Sequence, residues 1–448
     1  MLRSILLALA VLVLASGCRD TPPEMTPAHP ALAAALDAVD EDTNILVVSF
    51  DALRADALGV YGSDRGASPN IDRWASDAFV FERFYAAAQA TPTSFAGAFT
   101  GQYPFRVFRG WRLADVDTLA EAMQRTGRRT FAVLNNVQLV SERNFQQGFD
   151  AYEVLRSAPE AEVVSRTAAM LDAGDEEPFF GWVHFISPHS PYTPREMARD
   201  FYTPGYEGPY EKGTGPDPHP ETEADARRLR ELYDGEVFFA DMLFGRVMDL
   251  LDERGLSGDT LVVLTADHGD QFGEKGGYQH KVVYEMVVRI PFLMRPPGGL
   301  ADQVRVSRPQ VNTDLLPTLA AATGQRAETV DGVDMAGPVT AQRLIVITAM
   351  TNRDHRSMAA LQDDDKLVVT CPPPEFSEEL YDLSVDPHER HDRILDDPDR
   401  AGELFDGLTA LIGGDPCDVI RDATAGAEIT DNLDEETIEK LRSLGYIQ

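Results

Sequence analysis

Lysine is scarce in this chain. Five occur in 448 residues (Lys212, Lys275, Lys281, Lys366 and Lys440), and arginine carries most of the positive charge. Forty basic residues face 74 acidic ones, for a net charge of −34. Such a deficit argues against nonspecific nucleic-acid binding, which needs a basic face, and it favours solubility. It also means that an anionic ligand needs local compensation from a metal, a histidine or a lysine. Cysteine is scarcer still, limited to Cys18, Cys371 and Cys417. No internal repeat occurs, and after residue 18 no apolar run is long enough to cross a bilayer. The rest, 43% hydrophobic and 25% charged, is an ordinary globular composition, with room for one large α/β domain and a smaller one.

The first eighteen residues read as a targeting segment. Arg3 supplies a positive start, and ILLALAVLVLA is an apolar stretch too short to span a bilayer comfortably. Leu14-Ala15-Ser16-Gly17-Cys18 then resembles a bacterial lipoprotein signal, with Cys18 as the lipidated residue and Ala15 where such signals prefer Leu. The expectation is an exported protein, in the periplasm or at the cell surface, touching the membrane through a lipid anchor at Cys18 only. Ordinary signal cleavage would also export it. Cys371 and Cys417 remain as an even pair in an oxidising compartment, so a disulfide and two free thiols both stay open.

Residues 19–43 are rich in Pro and Ala and read as a tether. Alternating strands and helices follow over 44–340. NILVVSF, TFAVL, PFFGWVHF and TLVVLT are strand-like, and helical spacing marks the starts of SPNIDRWASDAFVF and DVDTLAEAMQRTG and the span 225–255. Residues 204–222 carry no periodicity and read as a surface loop. Past 340, LIVIT, KLVVT and SEELYDL are short strands and 400–412 a helix. The expected architecture is α/β, with helices flanking a central sheet and a small α+β subdomain over 341–448.

Chemistry concentrates where strands end. LVVLT runs into Asp267-His268 in TADHGD, and His280-Lys281 follow; NILVVSF ends in Asp51. Adjacent Asp and His leaving a buried strand are costly unless they bind something, and carboxylates at two strand ends suggest one metal site at the carboxyl edge of a sheet. An acid at a strand end can also be a plain helix cap, which is the ordinary explanation for Asp51 alone. Thr91 reads as an N-cap with Pro92 at the first helical position, a sufficient structural explanation locally. The same geometry places a hydroxyl where helix N–H groups favour an anion, and a metal on that hydroxyl would make it a nucleophile. His184 and His189, within HFISPHSPY, read as a pocket wall, with one of them open to a core role.

Several segments, in order, resemble the sulfatase family of the alkaline-phosphatase-like superfamily. They are NILVVSFDALRADALGVYG, SPNIDRWASDAFVFERFYA, AFTGQYP after Thr91, HFISPHSPY, TADHGDQFGEKGGYQHK and the closing ELYDL and LRSLGYI. The resemblance implies a central mixed sheet, a small C-terminal subdomain, one divalent metal ion (Ca²⁺, Mg²⁺ or Mn²⁺) and hydrolysis of sulfate or phosphate esters of small molecules or glycans. By motif position it implies metal ligands at Asp51, Asp267, His268 and Thr91, with Thr91 also the nucleophile. His189, His280 and Lys281 would contact ester oxygens or protonate the leaving group; apart from the resemblance, His184 as part of the pocket wall and Asn135 as a neutral polar contact would line the substrate. This chain departs from the family pattern in three places. Thr91-Pro92-Thr93-Ser94-Phe95 stands where the family carries a convertible Cys or Ser in C/S-x-P-x-R, so a formylglycine mechanism does not fit. Ala52 stands where a second Asp is usual. VLNNVQLV replaces a segment with Lys and His, leaving Asn135 and Asn136 as neutral contacts. The leading expectation is a metal-dependent ester hydrolase acting through Thr91. A phospho-headgroup transferase through a phosphothreonine, and a lapsed glycan-binding lipoprotein, are the alternatives.

Overall fold

The computed structural model describes residues 29–174, 177–338, 343–350, 356–371, 377–425, 428–444 and 446–447. Residues 1–28, with the expected signal segment and Cys18, lie outside the described residues, as does the expected boundary at 340/341. The expected tether is corrected over its last part. Helix α1 (Pro30–Asp37) turns Leu32 and Leu36 inward, and Val39 is buried after it. Those apolar side chains gain more by joining the main core than by staying in water.

The central sheet has eight strands: β1 (Asn44–Asp51), β2 (Phe79–Phe81), β3 (Arg129–Leu134), β4 (Ala151–Val154), β5 (Phe179–Pro188), β6 (Thr260–Ala266), β7 (Phe292–Arg295) and β8 (Val304–Val306). Their spatial order is β8-β2-β7-β6-β1-β5-β3-β4. The run β6-β1-β5-β3-β4 is parallel and β7 is antiparallel to both neighbours, so the sheet is mixed. Every residue of β1 is buried, which is why NILVVSF shows no alternation: a central parallel strand is covered on both faces. β6, β1 and β5 are neighbours pointing the same way, so their carboxyl ends open at one edge. That edge receives Asp51, Asp267 and the loop holding His189.

Two helices fix this edge. α2 (Thr91–Thr100) is buried along its whole length and stops at Gly101, whose φ of 67° is left-handed. The long α3 (Glu223–Glu253) starts at a capping box formed by Thr222 and Asp225. From it the Tyr233 hydroxyl donates to Ala52 O at 2.9 Å and accepts from Arg54 N–H at 2.9 Å, tying down the turn after Asp51.

The second sheet is antiparallel, in the order β9 (Ile345–Ala349), β10 (Arg356–Gln362), β11 (Asp365–Cys371), β12 (Ser377–Asp382). Helices α5 (Pro398–Ile412) and α6 (Pro416–Ala423) cover it, after the short α4 (Glu285–Val288) of the main unit. A disulfide joins Cys371 at the end of β11 to Cys417 in α6. This sheet shares its cores with the larger unit: Tyr103 and Phe105 pack with Leu404 and Ile420, and Tyr85 and Val287 pack with Ile347. No described helix is long and apolar enough to cross a membrane.

Candidate active site

Three buried ligand atoms converge at the carboxyl edge. His268 Nε2 lies 3.5 Å from Asp51 Oδ1 and 3.6 Å from Asp267 Oδ2. None of these three atoms has a hydrogen-bond partner, although all are enclosed. The other atoms of the same groups are engaged. Asp51 Oδ2 accepts from Asn136 Nδ2 at 2.6 Å, Asp267 Oδ1 accepts from Ala52 N–H at 3.1 Å and His268 N–H at 2.7 Å, and His268 Nδ1 is 2.8 Å from Gly269 O. The Gly269 contact leaves a lone pair on Nε2 of the neutral ring. Orphaned buried polar atoms are rare and costly. Two carboxylate oxygens and one imidazole nitrogen turned toward each other fit a divalent cation, and the three lie within 4.8 Å of one another. The protonation preferences agree. Burial and the facing Asp267 hold Asp51 well above the usual carboxylate range, and burial keeps His268 neutral, down to about 3. A cation held between these atoms would offset the two carboxylates and accept the His268 Nε2 lone pair.

Thr91 stands beside it. Its hydroxyl donates to Asp51 Oδ2 over 3.4 Å and accepts from Gln138 Nε2 over 3.5 Å. The expectation that Thr91 caps α2 is corrected: Ala90 is the N-cap, no side chain caps the helix, and Thr91 is the first helical residue. Its hydroxyl is therefore free of its own helix and points at the carboxylates. Ser94, one turn on, donates to Asp267 O at 2.6 Å and accepts from Asn312 Nδ2 at 2.9 Å, locking α2 against the DHGD loop.

A second group of side chains faces the same space. The His280 ring stacks on His268 with centroids 4.1 Å apart, and His280 Nε2 lies 3.2 Å from His189 Nε2. Each ring turns Nδ1 to a backbone carbonyl, Ser190 O for His189 at 2.5 Å and Gln89 O for His280 at 3.0 Å. Both neutral rings thus present lone pairs to each other, and a hydrogen bond between them needs one added proton. Burial keeps both toward the neutral form, and the charge of neighbouring Lys281 adds to this at His280. A proton added between them would be shared by the two Nε2 atoms. Lys281 itself is half-buried and has no ion-pair partner among the described residues.

Two of the expected substrate contacts are corrected. His184 is sealed inside β5, its Nδ1 3.0 Å from Ser49 Oγ and its ring against Phe95 and Trp182. It is the core histidine of the two, held neutral by burial at about 4. Asn135 Oδ1 accepts from Ile186 N–H at 2.8 Å and serves the strand edge; its neighbour Asn136 reaches Asp51. Two residues were missed, Gln138, whose amide reaches Thr91, and Tyr446. The Tyr446 hydroxyl lies 3.0 Å from His189 Nε2 and interacts with Thr91 and Gln138. The closing LRSLGYI marked a family motif but gave no reason to bring its tyrosine 257 residues back to His189.

This edge, with its acid pair, histidines and helix-borne hydroxyl, defines an alkaline-phosphatase-like α/β fold. The chain belongs to the sulfatase family, whose sequence model, described as "Sulfatase", matches residues 43–325. The choline-sulfatase of Rhizobium meliloti (strain 1021) is 28% identical over 242 residues, 49% of this chain and 46% of that protein. The ulvan-active sulfatase of Formosa agariphila is 25% identical over 341 residues, 66% of this chain and 65% of that one. The chain thus spans about half the length of the first and just under two thirds of the second. Among solved structures, the phosphonate monoester hydrolase of Agrobacterium radiobacter superposes with a TM-score of 0.69 at 19% identity, over 83% of this chain and 95% of that one. A protein solved with its substrate D-glucosamine-2-N,6-O-disulfate gives 0.73 at 18% identity, over 84% and 99%. At those identities the likeness establishes the fold.

Proposed function

We propose that this chain is a divalent-metal-dependent hydrolase of sulfate esters, or of phosphate monoesters, with the Thr91 oxygen as nucleophile. The observation that carries this reading is the convergence of three orphaned ligand atoms, Asp51 Oδ1, Asp267 Oδ2 and His268 Nε2, beside a hydroxyl freed from its helix. A cation held there would polarise an ester oxygen and ease ionisation of the hydroxyl.

The remaining work falls to side chains. Thr91 forms the new bond to sulfur or phosphorus while the bond to the ester oxygen breaks. The Thr91 proton passes through the Tyr446 hydroxyl, which contacts both Thr91 and His189, onto the His189 Nε2 lone pair. The His189–His280 pair returns it to the departing oxygen, so an alcohol leaves. Water then splits the threonine ester, releasing sulfate or phosphate and restoring Thr91. Lys281, lacking an ion-pair partner among the described residues, compensates the anion's charge in a chain that is otherwise strongly acidic.

Export, with lipidation at Cys18, belongs to the same proposal. The Cys371–Cys417 disulfide supports it, because such bonds persist in oxidising compartments.

The test compares an aryl sulfate, a phosphate monoester and a phosphodiester, with added divalent metal and with Thr91→Ala alongside. Metal-dependent release that disappears in the variant is expected. Full turnover by Thr91→Ala would overturn the nucleophile, and no release from any ester despite bound metal would move the reading to a transferase or a binding protein.

A further inference from the structure

No bond between His189 and His280 sets their distance. Each turns Nδ1 to a carbonyl and its Nε2 lone pair toward the other ring, and facing lone pairs do not attract. The 3.2 Å separation is therefore imposed by the backbone behind each ring. His189 lies on the loop after β5. His280 follows one foot of a hairpin whose other foot adjoins DHGD: Gln271 pairs with Gln279, and Phe272 with Tyr278. Gln279, at that foot, has a φ of 70°, in the left-handed region that a residue with a Cβ seldom takes. Such a conformation persists only where the surroundings enforce it.

The enforcing contact comes from the aperiodic loop over residues 204–222. Gln279 Nε2 donates to Pro216 O at 2.9 Å, and the Ser190 hydroxyl donates to the same oxygen over 3.4 Å. Ser190 O is in turn the atom that His189 Nδ1 meets. A carbonyl oxygen has two lone pairs, so one atom serves both arms. Further contacts tie the loop to each side. Thr214 N–H donates to Tyr192 O at 2.8 Å, and Thr214 Oγ1 accepts from Tyr192 N–H at 2.9 Å. Gly213, at φ 110°, lets the chains pass this close: an added Cβ would lie 2.6 Å from Tyr192 O. On the other side the His219 ring meets Tyr278 edge-on at 6.4 Å. Pro216 and Pro218 fix φ on either side of Asp217, so the loop holds its course without helix or strand.

The Gln279 amide neither gains nor loses a proton, so any effect on the reaction passes through His280, the next residue. Proton transfer needs heavy atoms at about 2.6–3.2 Å, and the His189–His280 distance sits at the long end of that range. A misplacement of about 1 Å can cost about 100-fold in rate. Little slack is left for either arm to drift.

We propose that Gln279 is a positioning residue, and that through Pro216 O the loop over 204–222 is a clamp fixing the separation of His189 and His280. The proposal rests on the ester-hydrolase reading for its kinetic consequence, but not for its mechanical test. The clamp joins two arms that lie far apart in the chain, so loosening one arm loosens the other.

The experiment has two parts. In the first, backbone amide exchange is compared in the full chain, Gln279→Met and Thr214→Val, with thermal unfolding used to confirm that each is folded. Gln279→Met keeps the side-chain length and loses the donor to Pro216 O; Thr214→Val keeps the shape and loses the acceptor for Tyr192 N–H. Gln279→Met is expected to speed exchange at Tyr192 and Thr214, on the opposite arm, roughly tenfold or more, and Thr214→Val to do so over residues 278–281. Faster exchange confined to the altered arm would overturn the clamp. In the second part, kcat and KM are measured with an aryl sulfate and a phosphate monoester in the presence of divalent metal. Gln279→Met is expected to lower kcat roughly tenfold or more with KM changed less than about twofold, the pattern of an interaction made only in the transition state. An unchanged kcat, or a loss confined to KM, would overturn the positioning role. If the parent turns over neither ester while exchange still passes between the arms, the hydrolase reading fails and the clamp stands.

Discussion

Lys366 Nζ lies 2.8 Å from Glu389 Oε1 and 2.9 Å from Glu285 Oε1, with Lys366 and Glu389 both shut off from water. The two carboxylates face one cation, so removing the cation leaves buried like charges with no counter-ion. Lys366→Met is therefore expected to cost about 3–5 kcal/mol of folding stability, read from denaturant unfolding. Glu285 opens α4, just after the His280-Lys281 loop, whereas Lys366 lies on β11 of the small sheet. The variant should thus also loosen the loop that carries His280, seen as faster amide exchange there. A loss below about 1 kcal/mol would mean that the triad does not organise this junction.

Metal should stabilise the protein, and more so at higher pH. Burial holds the Asp51 and Asp267 carboxyls above their ordinary value of 3.8, with mutual repulsion adding at Asp51. A group raised in the folded state contributes stability that is complete below its unfolded pKa and is lost as pH rises through the folded one. The metal-free protein should therefore weaken as these carboxyls ionise. A cation binds the ionised form, so its effect has the opposite slope. At a hundred times the dissociation constant it adds about 2.7 kcal/mol. The expected result is a metal-induced rise in Tm that is larger at about pH 8 than at about pH 5, and that Asp51→Asn abolishes. An equal rise at both pH values, or one that survives Asp51→Asn, would place the cation elsewhere.

The Cys371–Cys417 bond closes a loop with a sequence separation of 46. In the chain-entropy model such a closure is worth about 4 kcal/mol. Replacing both cysteines by Ala is expected to lower unfolding free energy by about 2–4 kcal/mol, since the bridge pins α6 to β11. Turnover by the folded double variant at low temperature should fall far less than its stability does, because the bond is remote from Thr91 in the chain and joins a strand of the second sheet to a helix that covers it.

How far this was legible in advance depends on the range of the signal. Asp51, Asp267 and His268 could be read because a parallel strand that ends in a charged residue advertises its own edge. Thr91 was found from Thr100-Gly101 and the family pattern, but its position at the helix start was off by one, since Pro92 fits either of the first two helical positions. Asn135 and Asn136 are adjacent, and local sequence does not say which one turns toward Asp51. His184 and His189 look alike in sequence, yet one is sealed within the strand and the other lies beyond its end. Tyr446 depends on a contact spanning most of the chain, which no local pattern encodes. Its neighbours Leu441 and Leu444 do show an apolar stripe, but that stripe says only that the segment docks, not where.

The glycine of DHGD has a steric reason that emerges only in three dimensions. A Cβ at Gly269 would lie 2.3 Å from Met286 O and 3.0 Å from Arg54 Cγ. The first contact is with backbone and cannot relax by a rotamer change. Gly269 N–H donates to Val287 O at 2.6 Å, and Gly269 O holds His268 Nδ1. Gly269→Ala must push this loop from α4, and the His268 ring would lose the carbonyl that orients Nε2. Partners that orient a metal-bound histidine are worth about 10–100-fold in affinity. The variant is expected to need at least tenfold more metal for the same rise in Tm, with turnover lowered at subsaturating metal. Gly258→Ala, where an added Cβ meets nothing within 4 Å, provides the comparison and should leave the metal response unchanged. If Gly269→Ala binds metal as tightly as the parent, then the contact to Gly269 O does not set the ring, and His268 is held by its stacking on His280 instead.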